Sequence, residues 1–522
     1  MGIDSAKANG PLVTLLIPTF NRRDDLGEAV GSAVRQSWRN LQIIVANDGG
    51  ADVRDIVESF NDQRILLLDR KENRGKAATL NEAIQRADGK YIAYIDDDDI
   101  HYPDHIRLLA EALEGPTDCQ VAYSNLYRAT FRSGGDGRRI ATSKLLEIRR
   151  DFDRCFMFHF NHVLHCSVMH RKDLLERTGL YNEDIRVLID WDMTRRLAFF
   201  SDFLHIDAVT GEYCVPVEKE SDRISYRMRR NREEFFKQLT TIRTTRPAKP
   251  WPKVQDLSII LAPPRIDAAA VKNIGTVITK TYWPYLLYLA LPPSEAARLN
   301  TSDIPKVIEM VPTAQEASYE ASVDAALERC QGDVVAIVPM GLAIEELWVE
   351  WPLHVLMTKA AFDEAVAIPR SNDLAWGVVA RRGDLLRARR EHGDLSFPRS
   401  LQAAGIKVIR PNKEDFPLAF DDLLNLARSM EQEGNWMNAG RIFEKMPSVC
   451  SNDLWMAEQA AAAMFRKGGA DAEAVELCRK VNSRSPNVSS LQLEARLQRR
   501  AGRGDLAIER LEQAREILNW KG

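Results

Sequence analysis

The sequence predicts an α/β protein with a mostly parallel sheet, then a second and degenerate α/β region, then α-helical repeats. Three observations carry this. Apolar runs of high strand propensity alternate with segments of helical spacing through the first 100 residues. A fainter copy of the same run begins at Leu257. From about Phe420 the pattern turns to continuous helix, with Gly434, Gly469 and Gly502 recurring at 35 and 33 residues and an alanine five residues after each.

The 522 residues are 45% hydrophobic and 28% charged, the balance of ordinary soluble globular protein. A net charge of −4 excludes a broad nucleic-acid footprint. The seven cysteines are scattered and form no CxxC pair, which predicts free thiols in a reducing compartment. Met1–Pro11 lacks the basic-then-apolar pattern of a signal peptide. No apolar run reaches the roughly 18 residues that span a bilayer. The chain reads as cytoplasmic, peripheral to the inner face of a membrane at most.

Leu12–Pro18 reads as a buried strand ended by proline, and Thr19-Phe20-Asn21-Arg22 as its loop. Asp24–Gln36 has helical spacing. Leu41–Ala46 is a second strand, followed by Asn47-Asp48-Gly49-Gly50. Asp52–Phe60 is a helix, Ile65–Leu68 a strand, and Asn73-Arg74-Gly75-Lys76 opens the helix Ala77–Ala87, which Gly89 is expected to cap. Tyr91–Ile95 is a strand buried on both faces that runs into Asp96, Asp97, Asp98 and Asp99. Ligands bind outside the carboxyl ends of strands in such sheets. Four adjacent carboxylates repel one another unless something cationic neutralises them, and a divalent metal on oxygen ligands does so economically. A solvated acidic turn is the alternative. Neither GxGxxG nor GxxxxGK[ST] is present.

Pro18-Thr19-Phe20-Asn21-Arg22, Asn47-Asp48-Gly49, Asn73-x-Gly75-x5-Asn81 and Asp96–Asp99 stand in the order and spacing of the family 2 glycosyltransferases, which have the GT-A fold. His165–Met169, Gly179-Leu180-Tyr181-Asn182-Glu183 and Asp190-Trp191-Asp192-Met193 extend the resemblance to about residue 230. It implies a hexosyltransferase-type, inverting, metal-dependent enzyme that moves a sugar from a nucleotide-diphospho-sugar, a UDP-sugar by preference, to an acceptor hydroxyl on a glycan, lipid-linked or protein acceptor.

On this reading Pro18, Thr19 and Asn21 shape the base pocket. Asp48 accepts hydrogen bonds from base or ribose, although an Asx turn before Gly49-Gly50 accounts for the same residue. Lys76 or Arg74 reaches phosphate, or is a solvated cation at the helix start. Asp96 and Asp98 become the acids of the family's DxD motif, with Asp98 and Asp96 on Mn²⁺ or Mg²⁺ and Asp96 also near ribose. Asp97 replaces either if the register slips by one. Asp99 is expected to cap the helix near Pro103. Asp190 is the general base, Trp191 packs by the acceptor or under the helix, and Asp192 is structural. Ile189 stands where the family has Glu, and Tyr213–Ser225 lacks the family's late histidine. His159, His162 and His165 suit a zinc site poorly, since one helix face holds three imidazoles badly. Arg223, Arg227, Arg229, Arg230 and Arg232 form a mobile loop, a lipid contact or a solvated face.

The expected organisation is a polar tail over residues 1–11, a catalytic GT-A domain over 12–246, a linker over 247–256, a degenerate GT-A-like domain over 257–418 and tetratricopeptide-like repeats over 419–522. In the second domain Gly332–Val338 matches Gly89–Ile95, with Pro339-Met340-Gly341 where the first has acids. That copy should bind no metal-nucleotide and serves packing, dimerisation or acceptor binding. The repeats offer a concave surface to a protein partner or cap the preceding domain. The rival reading of the whole is a non-catalytic scaffold built on a GT-A relic. A nucleotidylyltransferase is set aside because Pro18–Arg22 is not a Gly-rich phosphate loop.

Overall fold

The computed structural model describes residues 10–133, 139–146, 151–159, 161–217, 231–299, 307–342, 344, 348–358, 364–368, 377–409, 454–484 and 486–519. The arginines at 223–230, the side chain of Arg232 and the first of the three Gly–Ala pairs lie outside the described residues. The chain divides into two compact units. One comprises Met1–Met157, Asn161–Gln238 and Phe420–Gly522; the other comprises Phe158–Phe160 and Leu239–Ala419.

The first unit contains a mixed sheet. Its parallel half is β3 (Ile65–Asp69), β2 (Leu41–Asn47), β1 (Val13–Thr19) and β4 (Tyr91–Tyr94), in that spatial order. Beyond β4 lie β8 (Val168–Arg171), β6 (Val121–Ser133), β9 (Phe203–Pro216) and β5 (Ile100–His101), with β7 (Arg139–Leu146) pairing β6 on an arm. β8 runs antiparallel to both its neighbours, and β9 parallel to β6.

Every residue of β1 is buried because both faces of the sheet are covered. Side chains alternate across a strand. Val13, Leu15 and Ile17 therefore meet Leu26, Ala29, Val30 and Ala33 of α1 (Arg23–Val34) and Ile106 and Leu109 of α4 (His105–Glu114) in one core. α2 (Arg54–Ser59) adds Val57 to it. On β1 and β2 also packs α3 (Lys76–Gln85), whose Ala77, Leu80, Ala83 and Ile84 are buried. The register sets Thr19 beside Asn47 and Asn47 beside Asp69, and Ile95 N donates to Leu16 O. The carboxyl ends of β1, β2 and β4 thus share one rim.

Gly89 does not cap α3, which ends at Arg86. Its N–H donates to Thr14 Oγ1 at 2.9 Å, and a Cβ there would lie 2.5 Å from Thr14 N. Close backbone approach to β1, rather than helix termination, requires glycine. Asp99 likewise caps nothing: α4 starts at His105 behind Asp104, and Asp99 is buried in the rim.

The second unit repeats this plan. Its sheet runs β12 (Ile308–Pro312), β11 (Tyr285–Leu291), β10 (Leu257–Leu261), β13 (Val334–Val338), β15 (Gly377–Arg381), β14 (Glu364–Ile368) and β16 (Lys407–Ile409). Order and sense match β3, β2, β1, β4, β8, β6 and β9 strand for strand: parallel up to β13, antiparallel on both sides of β15, parallel between β14 and β16. Gly332 stands to Ser258 as Gly89 does to Thr14, with its N–H on Ser258 Oγ at 3.0 Å and a Cβ position 2.8 Å from Ser258 N. Lys172 N on Lys90 O and Arg382 N on Asp333 O, both at 2.9 Å, are a second matching pair. This alignment sets Pro339, Met340 and Gly341 against Asp96, Asp97 and Asp98.

The described helices of the carboxyl-terminal segment form two antiparallel pairs. Leu454–Lys467 and Asp471–Arg484 meet at Gly468-Gly469, and Val488–Arg500 and Gly504–Asn519 at Gly502. Those three glycines have φ of 73°, 86° and 73°, the left-handed region that ends a helix with least strain in glycine. The pairs do not form a compact unit of their own. Ala457 and Val481 pack on Leu146 of β7, and Tyr127 OH of β6 donates to Pro486 O. The helices thereby cover an arm that would otherwise present a bare strand.

Gly89→Ala and Gly332→Ala should each cost on the order of 1–3 kcal/mol, because backbone must move to admit the methyl. Gly383→Ala is the control: its Cβ meets nothing within 4 Å inside the helix Arg382–Glu391, and the change should stabilise by about 0.5–1 kcal/mol. Urea-unfolding midpoints of the three variants check this; an unshifted midpoint for Gly89→Ala refutes the close approach.

Candidate active site at the sheet rim

The rim is built where β4 ends. A buried strand delivers Asp96–Asp99 into a place with little water, so each carboxylate needs a partner or a proton. Lys76, the first residue of α3, sets its Nζ 2.5 Å from Asp96 Oδ1. Arg22, from the loop after β1, sets Nη1 2.5 Å from Asp98 Oδ2 and 3.3 Å from Asp97 Oδ1. Arg139 of β7 donates to Asp98 O at 2.7 Å while bound to Glu28 at 2.6 Å. Asp99 Oδ1 accepts from Cys214 N of β9 at 2.9 Å.

These surroundings separate the four acids. Burial works to raise Asp96, but Lys76 outweighs it and holds the carboxyl at about 2. Burial, aided by Asp98 and Asp96, lifts Asp97 to about 6 despite Arg22. Burial together with Asp98 and Asp96 drives Asp99 well above the ordinary carboxylate range.

Asp96, Asp98 and Asp99 each offer an oxygen within 4.8 Å of the others, and among the described residues they are the one group of His, Cys, Asp and Glu that converges this way. Asp99 Oδ2 is buried without a hydrogen-bond partner. Hard oxygen donors of this kind fit Mg²⁺ or Mn²⁺. The sequence missed Asp99 as a member because a fourth acid looks like a cap when its strand partner, the Cys214 backbone, is 115 residues away. His159, His162 and His165 do not converge. His165 instead lies tilted against Tyr94, with ring centroids 4.2 Å apart, and bonds Tyr181 OH at 2.8 Å. Burial, with Lys76 nearby, lowers its imidazole to about 3.

Asp190 lies in the first turn of α5 (Ile189–Leu197), behind Leu188 in the left-handed region at φ 59°. Its Oδ2 accepts from Asn161 Nδ2 at 3.0 Å. Burial raises its carboxyl, against the charge of Lys76 and the Trp191 backbone. Lys76 therefore feels both Asp96 and Asp190, and the acid loop and the candidate base share one ammonium. Trp191 is buried under its helix, with Nε1 on Met157 O at 2.7 Å, and Asp192 pairs with Arg196 at 2.7 Å.

The second loop differs in detail from expectation. Asp48 Oδ1 accepts from Arg74 N at 2.9 Å and Oδ2 from Gly75 N at 2.8 Å, while Arg70 approaches Oδ1 at 3.2 Å. Its carboxylate thus anchors the loop that opens α3. The Asx-type turn belongs to Asn47, whose Oδ1 accepts from Gly50 N at 3.2 Å. Asn21, at φ 56°, accepts from Ala51 N at 2.8 Å and so pins the first loop to the second. Pro18 and Thr19 end β1 in register with Ala46 and Asn47, and Thr19 Oγ1 is buried without a hydrogen-bond partner. Lys76 holds Asp96, and the Arg74 side chain pairs with Glu183 at 3.2 Å. Asn81 joins α3 to Tyr181 through bonds of 2.8 and 2.9 Å.

The raised Asp97 gives a pH test. Folding favours its protonated form, so that contribution is complete below the ordinary value of 3.8 and is lost as pH rises through about 6. Asp97→Asn in chelator-treated protein should therefore be more stable than wild type at pH 8, by on the order of 1–3 kcal/mol, and equal to it near pH 4. Unfolding midpoints at the two pH values decide it.

Against this geometry stand the likenesses to known proteins. Residues 14–178 match the family model described as "Glycosyl transferase family 2". A protein of Rickettsia felis named "Uncharacterized glycosyltransferase" is 27% identical over 187 residues, covering 35% of this chain and 31% of its own length. YwdF of Bacillus subtilis, also named an uncharacterized glycosyltransferase, is 27% identical over 186 residues, 36% of this chain and 68% of that one. TuaG of the same organism, a "Putative teichuronic acid biosynthesis glycosyltransferase", is 37% identical over 92 residues, 17% of this chain and 36% of its own. The chain thus spans about a third of the Rickettsia felis relative. Among solved structures, S. aureus TarS (residues 1–349) is similar at 16% identity and a TM-score of 0.34, over 44% of this chain and 64% of that one. Residues 14–178, which contain the acid loop and both cations that neutralise it, are a glycosyl transferase family 2 domain.

Proposed function

We propose that the first unit is an inverting, metal-dependent glycosyltransferase that moves a sugar from a nucleotide-diphospho-sugar to an acceptor hydroxyl, in bacterial glycan, glycolipid or glycoprotein synthesis. The observation that carries this is the convergence of Asp96, Asp98 and Asp99 at the end of β4 with Asp190 beyond Lys76, beside the family 2 segment.

Asp96, held ionised, and Asp98 are the oxygen donors suited to Mn²⁺ or Mg²⁺, with Asp99 behind them. The ion would supply counter-charge to the leaving diphosphate. Arg22 and Lys76 are the chain's own cations within reach of that phosphate, and each now neutralises an acid. Pro18, Thr19, Asn21 and Asp48 shape the nucleotide pocket through the backbone they fix. Asp190 takes the acceptor proton, and its raised carboxyl is the more basic for being buried. The acceptor oxygen attacks the anomeric carbon in line, and the diphosphate leaves with the bonding pair. A relative named for teichuronic acid synthesis supports a polysaccharide acceptor.

The second unit, with Pro339-Met340-Gly341 at the corresponding rim, is read as a copy without metal or nucleotide chemistry, and the helix pairs as tetratricopeptide-like. A scaffold function for the whole draws on one observation: Arg22 and Lys76 already neutralise the acids, so the loop needs no metal to be stable.

Calorimetric titration of UDP with and without Mn²⁺, on wild type and Asp98→Ala, separates the two. Micromolar binding that needs both metal and Asp98 is expected; no binding of UDP, GDP or dTDP under any condition favours the scaffold. With a donor and acceptor identified, Asp190→Asn should lower kcat by about 10²–10⁴ with little change in nucleotide affinity. In the wild type kcat/KM should rise with pH through a value above the ordinary carboxylate range, since only ionised Asp190 accepts a proton.

A further inference from the structure

A cleft of about 270 Å³ opens in the second unit, at the amino-terminal ends of β10 and β11, the opposite edge of the sheet from Pro339–Gly341. Arg246, Lys249, Trp251, Asp256, Tyr288 and Gln331 line it. The charges do not cancel. Lys249 Nζ is bound to Asp256 Oδ2, so that buried carboxylate is already neutralised. Arg246 is half-buried and gives one donor, Nη1, to Tyr285 O at 2.9 Å. Among the described residues no carboxylate lies within ion-pair distance of it. Burial pushes the guanidinium below its ordinary value, against the charge of Asp256.

An arginine presents five donors in a rigid fork matched to carboxylate and phosphate. Here Arg246 lines the cleft with one nitrogen engaged, on Tyr285 O. The remaining walls suit a compact hydroxylated body. Trp251 is fixed by its Nε1 on Pro247 O at 3.0 Å, and indole faces pack on sugar rings. Gln331 offers an amide. Tyr288 OH, on the far wall, accepts from Gln331 N at 3.2 Å.

We propose that this cleft binds a small anionic ligand, a carboxylate or phosphate on a compact hydroxylated body such as an acidic or phosphorylated sugar, with Arg246 on the anion and Trp251 and Gln331 on the body. The site is separate from the acid rim and stands whether or not the first unit transfers sugar.

The test is calorimetric titration of the full chain with glucuronate, glucose 1-phosphate, glucose and inorganic phosphate. Wild type, Arg246→Gln and Trp251→Ala are compared, and Asp98→Ala reports any binding at the rim. At least one of the two anionic sugars should bind near about 1 mM or tighter. Arg246→Gln should weaken it at least about tenfold, as loss of a charge-assisted pair implies, and Asp98→Ala should leave it unchanged. Trp251→Ala, which keeps the Arg246–Tyr285 bond, should weaken it too, and thermal midpoints establish that both variants are folded. Glucose binding as tightly as its charged relatives, phosphate alone matching glucose 1-phosphate, binding lost in Asp98→Ala, or no binding of any probe overturns the proposal.

Discussion

The first unit depends on two ion pairs at one strand end, Lys76–Asp96 and Arg22–Asp98. β4 can be buried on both faces only if the four carboxylates after it are neutralised or protonated. The fold meets that demand from two loops at once: Lys76 opens the helix after β3, and Arg22 ends the loop after β1. Asp48 then fixes the first of these loops through Arg74 N and Gly75 N, and Asn21 ties the second loop to β2. The rim is therefore one electrostatic assembly. Its backbone is set by carboxylate and amide acceptors, and its charge is balanced by cations that follow β1 and β3 in the sequence.

The second sheet shows what the architecture becomes without that demand. Strand order and sense are unchanged, and the tight approach of Gly332 to Ser258 reproduces that of Gly89 to Thr14. The strand end carries Pro339-Met340-Gly341 and needs no counter-cation. At the other edge Lys249 pairs with Asp256, and among the described residues no carboxylate lies within ion-pair distance of Arg246. Backbone packing constrains both units alike, whereas the position of uncompensated charge differs between them.

The continuous apolar runs and their alternation with helices are legible in the sequence, and so is the acid-tipped strand. Each depends on residues adjacent in the chain. What escaped was set by distant partners. Asp99 looked like a helix cap because its acceptor role is to Cys214 N on β9. Arg139 carries no local signal, because its place at the Asp98 carbonyl follows from the pairing of β6 with β7. The bonds from Asp48 to backbone amides more than 25 residues on carry no local signal either. Gly89 has the local look of a helix terminator, whereas the neighbour that requires it is Thr14, 75 residues earlier.

β7 touches the acid loop at one end, through Arg139, and the carboxyl-terminal helices at the other, through Leu146. The bond from Tyr127 to Pro486 spans 359 residues of sequence, and Leu239–Ala419, which form the other unit, intervene. Contacts of such separation close late, because a long loop must be ordered before they form. During synthesis the arm that carries Arg139 emerges long before the helices that cover it. The first unit must wait, with that strand uncovered, until the ribosome has made and released residue 486; the second unit has all its strands before then. The unit that begins first is completed last.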